Sequence, residues 1–143
     1  MLISTKGRYS LRVMIDLAEH HSDGYIPLRT IAERQDVSEK YLESIVKLLV
    51  KTNFLTGLRG KGGGYQLTRT PEQYTIGSIL RLTEDSLAPV ACLEPGAASC
   101  PRAAQCRTLS LWQGLDKCIN EYLDGFTLAD LMRSGDAGND YVI

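Results

Sequence analysis

The sequence predicts a mainly α-helical fold carrying one small β-hairpin, and three observations carry that expectation. Apolar residues recur at helical spacing in five separate stretches. One pair of short strand-like runs brackets a glycine-rich turn. One late helix shows two apolar stripes instead of one. The 143 residues, 43% hydrophobic and 23% charged, fit one domain with an appendage.

In residues 9–21, Leu11, Met14, Ile15 and Leu17 stand at helical spacing, and Asp23-Gly24 ends that helix. Pro27 marks the entry to a second helix over residues 28–35, with Leu28, Ile31 and Ala32 on one face. Asp36-Val37 breaks the chain tightly, and the Ser38 hydroxyl is placed to accept from the free amides of the next turn. A third helix over residues 39–51 spaces Leu42, Ile45, Val46 and Leu49 as a buried stripe. Two short helices about such a break form a helix-turn-helix pattern. Residues 54–58 and 65–68 then read as strands on either side of Arg59-Gly60-Lys61-Gly62-Gly63-Gly64. Those glycines permit positive φ and leave backbone amides open to a phosphate. The product is a basic wing directly after the third helix, with Arg59 and Lys61 at its tip.

Pro71 closes the wing, Thr75 caps a fourth helix that runs to residue 84, and residues 85–105 read as a loop. A long helix returns over residues 108–123. One of its stripes is Leu111, Leu115, Cys118 and Tyr122, and the other is Leu109, Trp112, Ile119 and Leu123. Burial on two sides predicts packing against its own domain and against a second copy of the chain. Thr127 caps a short last helix before a glycine-rich polar tail. The predicted class is therefore a winged helix-turn-helix with a long C-terminal dimerisation helix. The expected division is a DNA-binding domain over 1–84, a cysteine-bearing sensor loop over 85–107, a dimerisation helix over 108–126, and a short helix with tail over 127–143.

Charge supports an anionic partner for the first half alone. Residues 1–70 hold 11 Lys and Arg against 7 Asp and Glu, whereas residues 71–143 hold 5 against 10. No apolar run approaches the ~20 residues that span a bilayer, and the start predicts no signal peptide, so a cytoplasmic protein is expected.

DNA is positioned by cations, hydroxyls and helix N-termini. The start of the third helix offers Ser38, Lys40 and Tyr41, with Glu43 and Ser44 one turn further in. A carboxylate facing DNA is repelled unless it accepts from a cytosine amino group, which makes Glu43 a candidate for base selection. The alternative is a solvated Glu43–Lys47 pair four residues apart. Arg59 suits a narrow minor groove, with Gly60 and Lys61 beside it.

Three segments carry a resemblance: ISTKGRY at 3–9, IAERQDVSEKYLESIV at 31–46 and LRGKGGGYQL at 58–67. They closely resemble the winged-helix regulator family that includes the iron–sulfur cluster regulator IscR, the nitric-oxide sensor NsrR and the cysteine-metabolism repressor CymR. The likeness extends through the cysteine loop and the TLADL helix to the Tyr-x-Ile ending. It implies a homodimer that binds a partly palindromic operator in double-stranded DNA, usually as a repressor. DNA contacts are implied at Ser38, Tyr41, Glu43 and Arg59, while Lys40 and Ser44 fall on contact positions that vary. A protein partner from cysteine or iron–sulfur metabolism, such as a cysteine-biosynthesis enzyme, is implied for some members.

Cys92, Cys100 and Cys106 share one loop, where three thiolates can converge on a soft metal centre. The resemblance implies an iron–sulfur cluster on these three residues, of the two-iron two-sulfur type. The position three residues past the last cysteine, where the resemblance implies a histidine, holds Leu109. Candidate fourth ligands are Glu94, Thr108, Cys118 or an external thiol. A thiol switch that joins two loop cysteines is the second reading, and zinc the third. Cys118 reads as a buried core residue of the dimer helix, and His20 and His21 as contacts to helix-end carbonyls.

An enzyme is disfavoured. No Ser-His-Asp set or HExxH helix is legible, and GKGGGY lacks the Lys-Ser/Thr of a phosphate loop.

Overall fold

The computed structural model describes residues 2–133; the polar tail and the Tyr-x-Ile ending lie outside that range. The order of elements is α1 (Thr5–Glu19), α2 (Leu28–Gln35), α3 (Glu39–Lys51), β1 (Leu55–Leu58), β2 (Gly64–Leu67), α4 (Ile76–Thr83), α5 (Leu109–Asp124) and α6 (Leu128–Leu131). The predicted mainly helical class with one hairpin is what the chain adopts.

Most boundaries fall where the sequence puts them because the caps do. Ser38 accepts from the Tyr41 amide, Thr75 from Ser78 and Thr127 from Asp130. The break between α2 and α3 turns on Asp36, held left-handed at φ 53°. α1 differs, starting at Thr5 where periodicity alone predicts residue 9. Its first turn is polar, and the true signal is Ser4, whose hydroxyl accepts from the Gly7 amide.

Val13, Met14 and Leu17 of α1 meet Ile31 of α2, the Leu42–Ile45–Val46–Leu49 stripe of α3 and Ile79 of α4 in one core. Each such side chain contributes about 1.5–3 kcal/mol on burial. Leu128 of α6 is fully buried in the same core, tied in by a bridge between Thr75 and Thr127. Asp16 is buried too, and Arg34 of α2 grips it with two bonds of 2.7 and 3.1 Å while the Gln35 amide adds a third. That pair locks α2, and hence the turn into α3, against α1. His20 and His21 contact the carbonyls of Asp16 and Ala18 as expected.

The wing is an antiparallel pair in register Leu55↔Leu67 to Leu58↔Gly64. It has a third edge that the sequence does not announce. Ile26, in the linker before α2, exchanges both backbone bonds with Tyr65, at 2.9 and 2.8 Å. Gly64, at φ 149°, makes this approach possible, since a Cβ there would overlap the Ile26 carbonyl.

Candidate nucleic-acid interface

The first turn of α3 is built around its cap. Because Ser38 Oγ accepts from Tyr41, its hydroxyl proton remains free to donate outward. Ser44 is spent the other way: its hydroxyl donates to the Tyr41 carbonyl at 3.1 Å, leaving acceptor capacity. Lys40, Glu43, Ser44 and Lys47 are exposed, whereas Tyr41 is half-buried. The Tyr41 ring meets the edge of Tyr9 on α1 at 5.5 Å. Arg12 lies over that same Tyr9 at 4.8 Å and donates to Gln35 of α2. Tyr9 and Arg12 thus buttress the reading helix. Their i, i+3 aromatic–cation spacing was the only trace of this in the sequence.

The structure brings Glu43 and the wing into one groove of about 630 Å³, lined by Glu43, Lys47 and Val50 from α3 and by Leu58, Arg59 and Gly60 from the wing. Glu43 and Lys47 form no ion pair with each other, nor does Arg59 with any carboxylate, among the described residues. Gly60 and Gly62 take φ of 89° and 77°, and the Gly63 amide closes the turn onto the Gly60 carbonyl. Lys61 is exposed at this turn. Ser38 lies apart from the groove, in a shallow depression beside Glu33, Asp36 and Glu39.

The wing is fixed at its base by Tyr74. Its hydroxyl donates to the Phe54 carbonyl at 2.8 Å and accepts from the Thr68 and Arg69 amides at 2.9 and 3.1 Å. Arg69 covers both the Phe54 and Tyr74 rings.

Cys92, Cys100 and Cys106 are free and exposed on the loop between α4 and α5. Three unpaired thiols are the right donors for an iron–sulfur cluster. Yet no three Cys, His, Asp or Glu side chains among the described residues converge on a metal-sized site. The donor set fits in kind and not in arrangement: Cys92 lies in the short turn Ala91–Leu93, Cys100 in the irregular stretch that follows it, and Cys106 just past a second short turn, Ala103–Gln105. Cys106 precedes α5. The Thr108 hydroxyl, 3.6 Å away, and the amides of Thr108 and Leu109 hold its thiol below the usual range, with Arg102 adding to the effect.

α5 bears out the two-stripe pattern. Leu109, Trp112, Ile119 and Leu123 are half-buried, and Arg81 of α4 clamps Asp124 and Asn120. The other stripe is bare: Leu111 is 61% exposed, Leu115 41% and Tyr122 68%. Cys118 belongs to this bare face and is exposed rather than buried in the chain's own core, because α5 turns that side away from α4. No helix among the described residues is long and apolar enough to cross a membrane.

Residues 3–134 match the family model Rrf2, described as an iron-dependent transcriptional regulator. The chain is 39% identical over 133 residues to protein rrf2 of Nitratidesulfovibrio vulgaris, covering 93% of this chain and 88% of that one. Among solved structures it is similar to IscR of T. potens, with TM-score 0.70, 37% identity, and 92% and 85% of the two chains covered. It is likewise similar to CymR, the global cysteine regulator of B. subtilis, with TM-score 0.75, 37% identity, and coverage of 92% and 95%.

Proposed function

The chain belongs to the Rrf2 family of transcriptional regulators, and on that premise we propose a dimeric, sequence-specific regulator that reads a partly palindromic operator and represses from it. Its relatives regulate transcription and are not enzymes. The observation that carries the reading is the groove in which Glu43 and Lys47 of α3 face Arg59 of the wing, all three free of ion pairs among the described residues. Cations without carboxylate partners attract phosphates, and an unpaired carboxylate between them selects a cytosine amino group. Ser38, Lys40, Tyr41 and Ser44 extend the contact along the start of α3, and Arg59, Gly60 and Lys61 enter the neighbouring minor groove. The bare stripe of α5 pairs two copies, so that the reading heads meet half-sites about one turn, ~34 Å, apart.

Selection of bound duplexes from a random pool tests this. A partly palindromic element whose binding weakens steeply with salt is expected; recovery of no preferred sequence contradicts it.

The signal is assigned to the loop over residues 85–107. An iron–sulfur cluster of the two-iron type, held by Cys92, Cys100 and Cys106 once the loop gathers them, would supply a redox-sensitive centre. The family's iron-dependent description and the three free thiols support it. The same three free, exposed thiols on one loop also support a second reading, a cluster-free thiol switch. Protein purified without oxygen decides between them. Iron with visible charge-transfer absorption supports the cluster, and colourless protein whose operator affinity follows thiol oxidation supports the switch.

A further inference from the structure

We propose that Glu84 ties the mouth of the cysteine loop to the reading helix, by fastening the first turn of α1 so that a change in the loop reaches α3. The proposal rests on the assignment of the signal to that loop, and it names the positioning residue through which the signal travels.

Glu84 is the C-cap of α4 and the last residue before the loop. Its carboxylate accepts from both the amide and the hydroxyl of Ser4, at 2.8 and 2.9 Å. The same hydroxyl caps α1 by accepting from the Gly7 amide at 3.0 Å. Hydrogen bonds to an ionised acceptor are roughly twice as strong as neutral ones, so the tie is a firm one. Gly7 is what admits it, since a Cβ there would overlap the Glu84 carboxylate oxygen. Two residues further along α1, Tyr9 meets Tyr41 of α3, and Arg12 lies over Tyr9 and reaches Gln35 of α2. The fastened turn therefore leads directly into the side chains that buttress the reading helix.

The loop side of the tie has room to move. A recess of about 250 Å³ is lined by Glu84, Asp85 and Leu87 at the mouth of the loop and by Leu93 and Pro95 from within it. Leu87 is buried in the core, whereas Leu93, next to Cys92, is only half-buried. Among the described residues the loop thiols do not converge. Gathering them draws the turn Ala91–Leu93 along with its cysteine, and the recess gives Leu93 space to close toward Glu84. Beyond the recess the chain is close-packed, and packed interiors transmit a displacement instead of absorbing it. Closure therefore shifts the carboxylate, and with it the first turn of α1.

The test uses as parent the full chain carrying Cys118→Ser, whose remaining thiols, Cys92, Cys100 and Cys106, all lie in the loop. Dibromobimane bridges two of them, each sulfur displacing one bromide, and so gathers the loop without a natural ligand. Affinity for the duplex recovered by selection is measured with and without the bridge. Bridging is expected to change the parent's affinity by about fivefold or more and to alter hydrogen exchange at the Gly7 amide. Glu84→Ala and Gly7→Ala are expected to bring the ratio of the two affinities close to one. Glu84→Gln, whose carbonyl still accepts from Ser4, is expected to keep the parent's ratio. Thermal melting is checked first. Gly7→Ala keeps the test open if Glu84→Ala fails to fold, because the atom it displaces ends a flexible side chain and alanine favours the helix. A merely structural Glu84 would lower the melting temperature and leave the ratio alone. The parent's ratio retained in the folded variants overturns the tie by itself. A parent that binds its operator equally with and without the bridge contradicts the assignment of the signal to the loop, and the tie with it, so the two failures are told apart.

Discussion

Glu43 and Tyr74 show how differently two polar side chains are used within one wing-and-helix unit. Glu43 is exposed and has no ion-pair partner among the described residues, which suits the base-selecting role proposed for it. Glu43→Ala is expected to melt within about 0.5 kcal/mol of the parent. It is also expected to lose about 1–3 kcal/mol at one base pair per half-site, read as roughly 5–150-fold in affinity with relaxed preference there. Tyr74 is fully buried and its hydroxyl satisfies three backbone groups at the wing base. Tyr74→Phe orphans them at a cost of about 1–3 kcal/mol in stability, visible as a lower denaturation midpoint. The first residue was legible as a candidate in the sequence because a carboxylate among cations is a chemical anomaly. The second was not, because a lone tyrosine after Pro71 gives no hint that its hydroxyl reaches back twenty residues to Phe54.

The elements were legible where a cap and a period agree. Ser38 before the Leu42–Leu49 stripe places α3 to the residue, and Thr75 places the start of α4, which ends at Thr83, one residue short of the expected 84. They were not legible where position depends on distant partners. The start of α1 is fixed by Ser4, whose amide and hydroxyl both donate to Glu84 at 2.8 and 2.9 Å, eighty residues away. The Ile26–Tyr65 bridge and the Asp16–Arg34 pair also join residues distant in sequence, and no local pattern encodes them. Between α4 and α5 the decisive contact is Arg81 with Asp124. Hydrogen bonds from Arg81 hold the Asp124 carboxyl below its ordinary value. A folded-state pKa that is lowered adds stability above the ordinary carboxylate value near 4, and that stability is lost as pH falls through the folded value. Asp124→Asn is therefore expected to be less stable than the parent at pH 7, by about 0.3–1 kcal/mol for so exposed a pair, with the gap closing below pH 4. Parallel denaturation curves across pH 3–7 measure it.

For the whole molecule, the sequence made the two-stripe helix legible as a demand for two partners, and the single chain satisfies only one of them. Leu111, Leu115 and Tyr122 remain bare, the kind of contiguous apolar face that soluble monomers rarely leave in water. Replacing Leu111 and Tyr122 with Ser is expected to give a folded monomer by sedimentation. It is also expected to lose operator affinity at least tenfold, since each reading head then binds alone. What was not legible is the arrangement of the cysteine loop, because three thiols with flexible spacing fix no geometry until a ligand does. The central claim is that the start of α3 and the wing grip one duplex together, twice per dimer. Its most direct measurement is the ratio of specific to non-specific affinity for the triple variant Tyr41→Ala, Glu43→Ala, Arg59→Ala, at one fixed salt concentration. The parent is expected to favour its operator by 10³-fold or more, and the folded triple variant by a factor near one. A triple variant that keeps the parent's ratio contradicts the account.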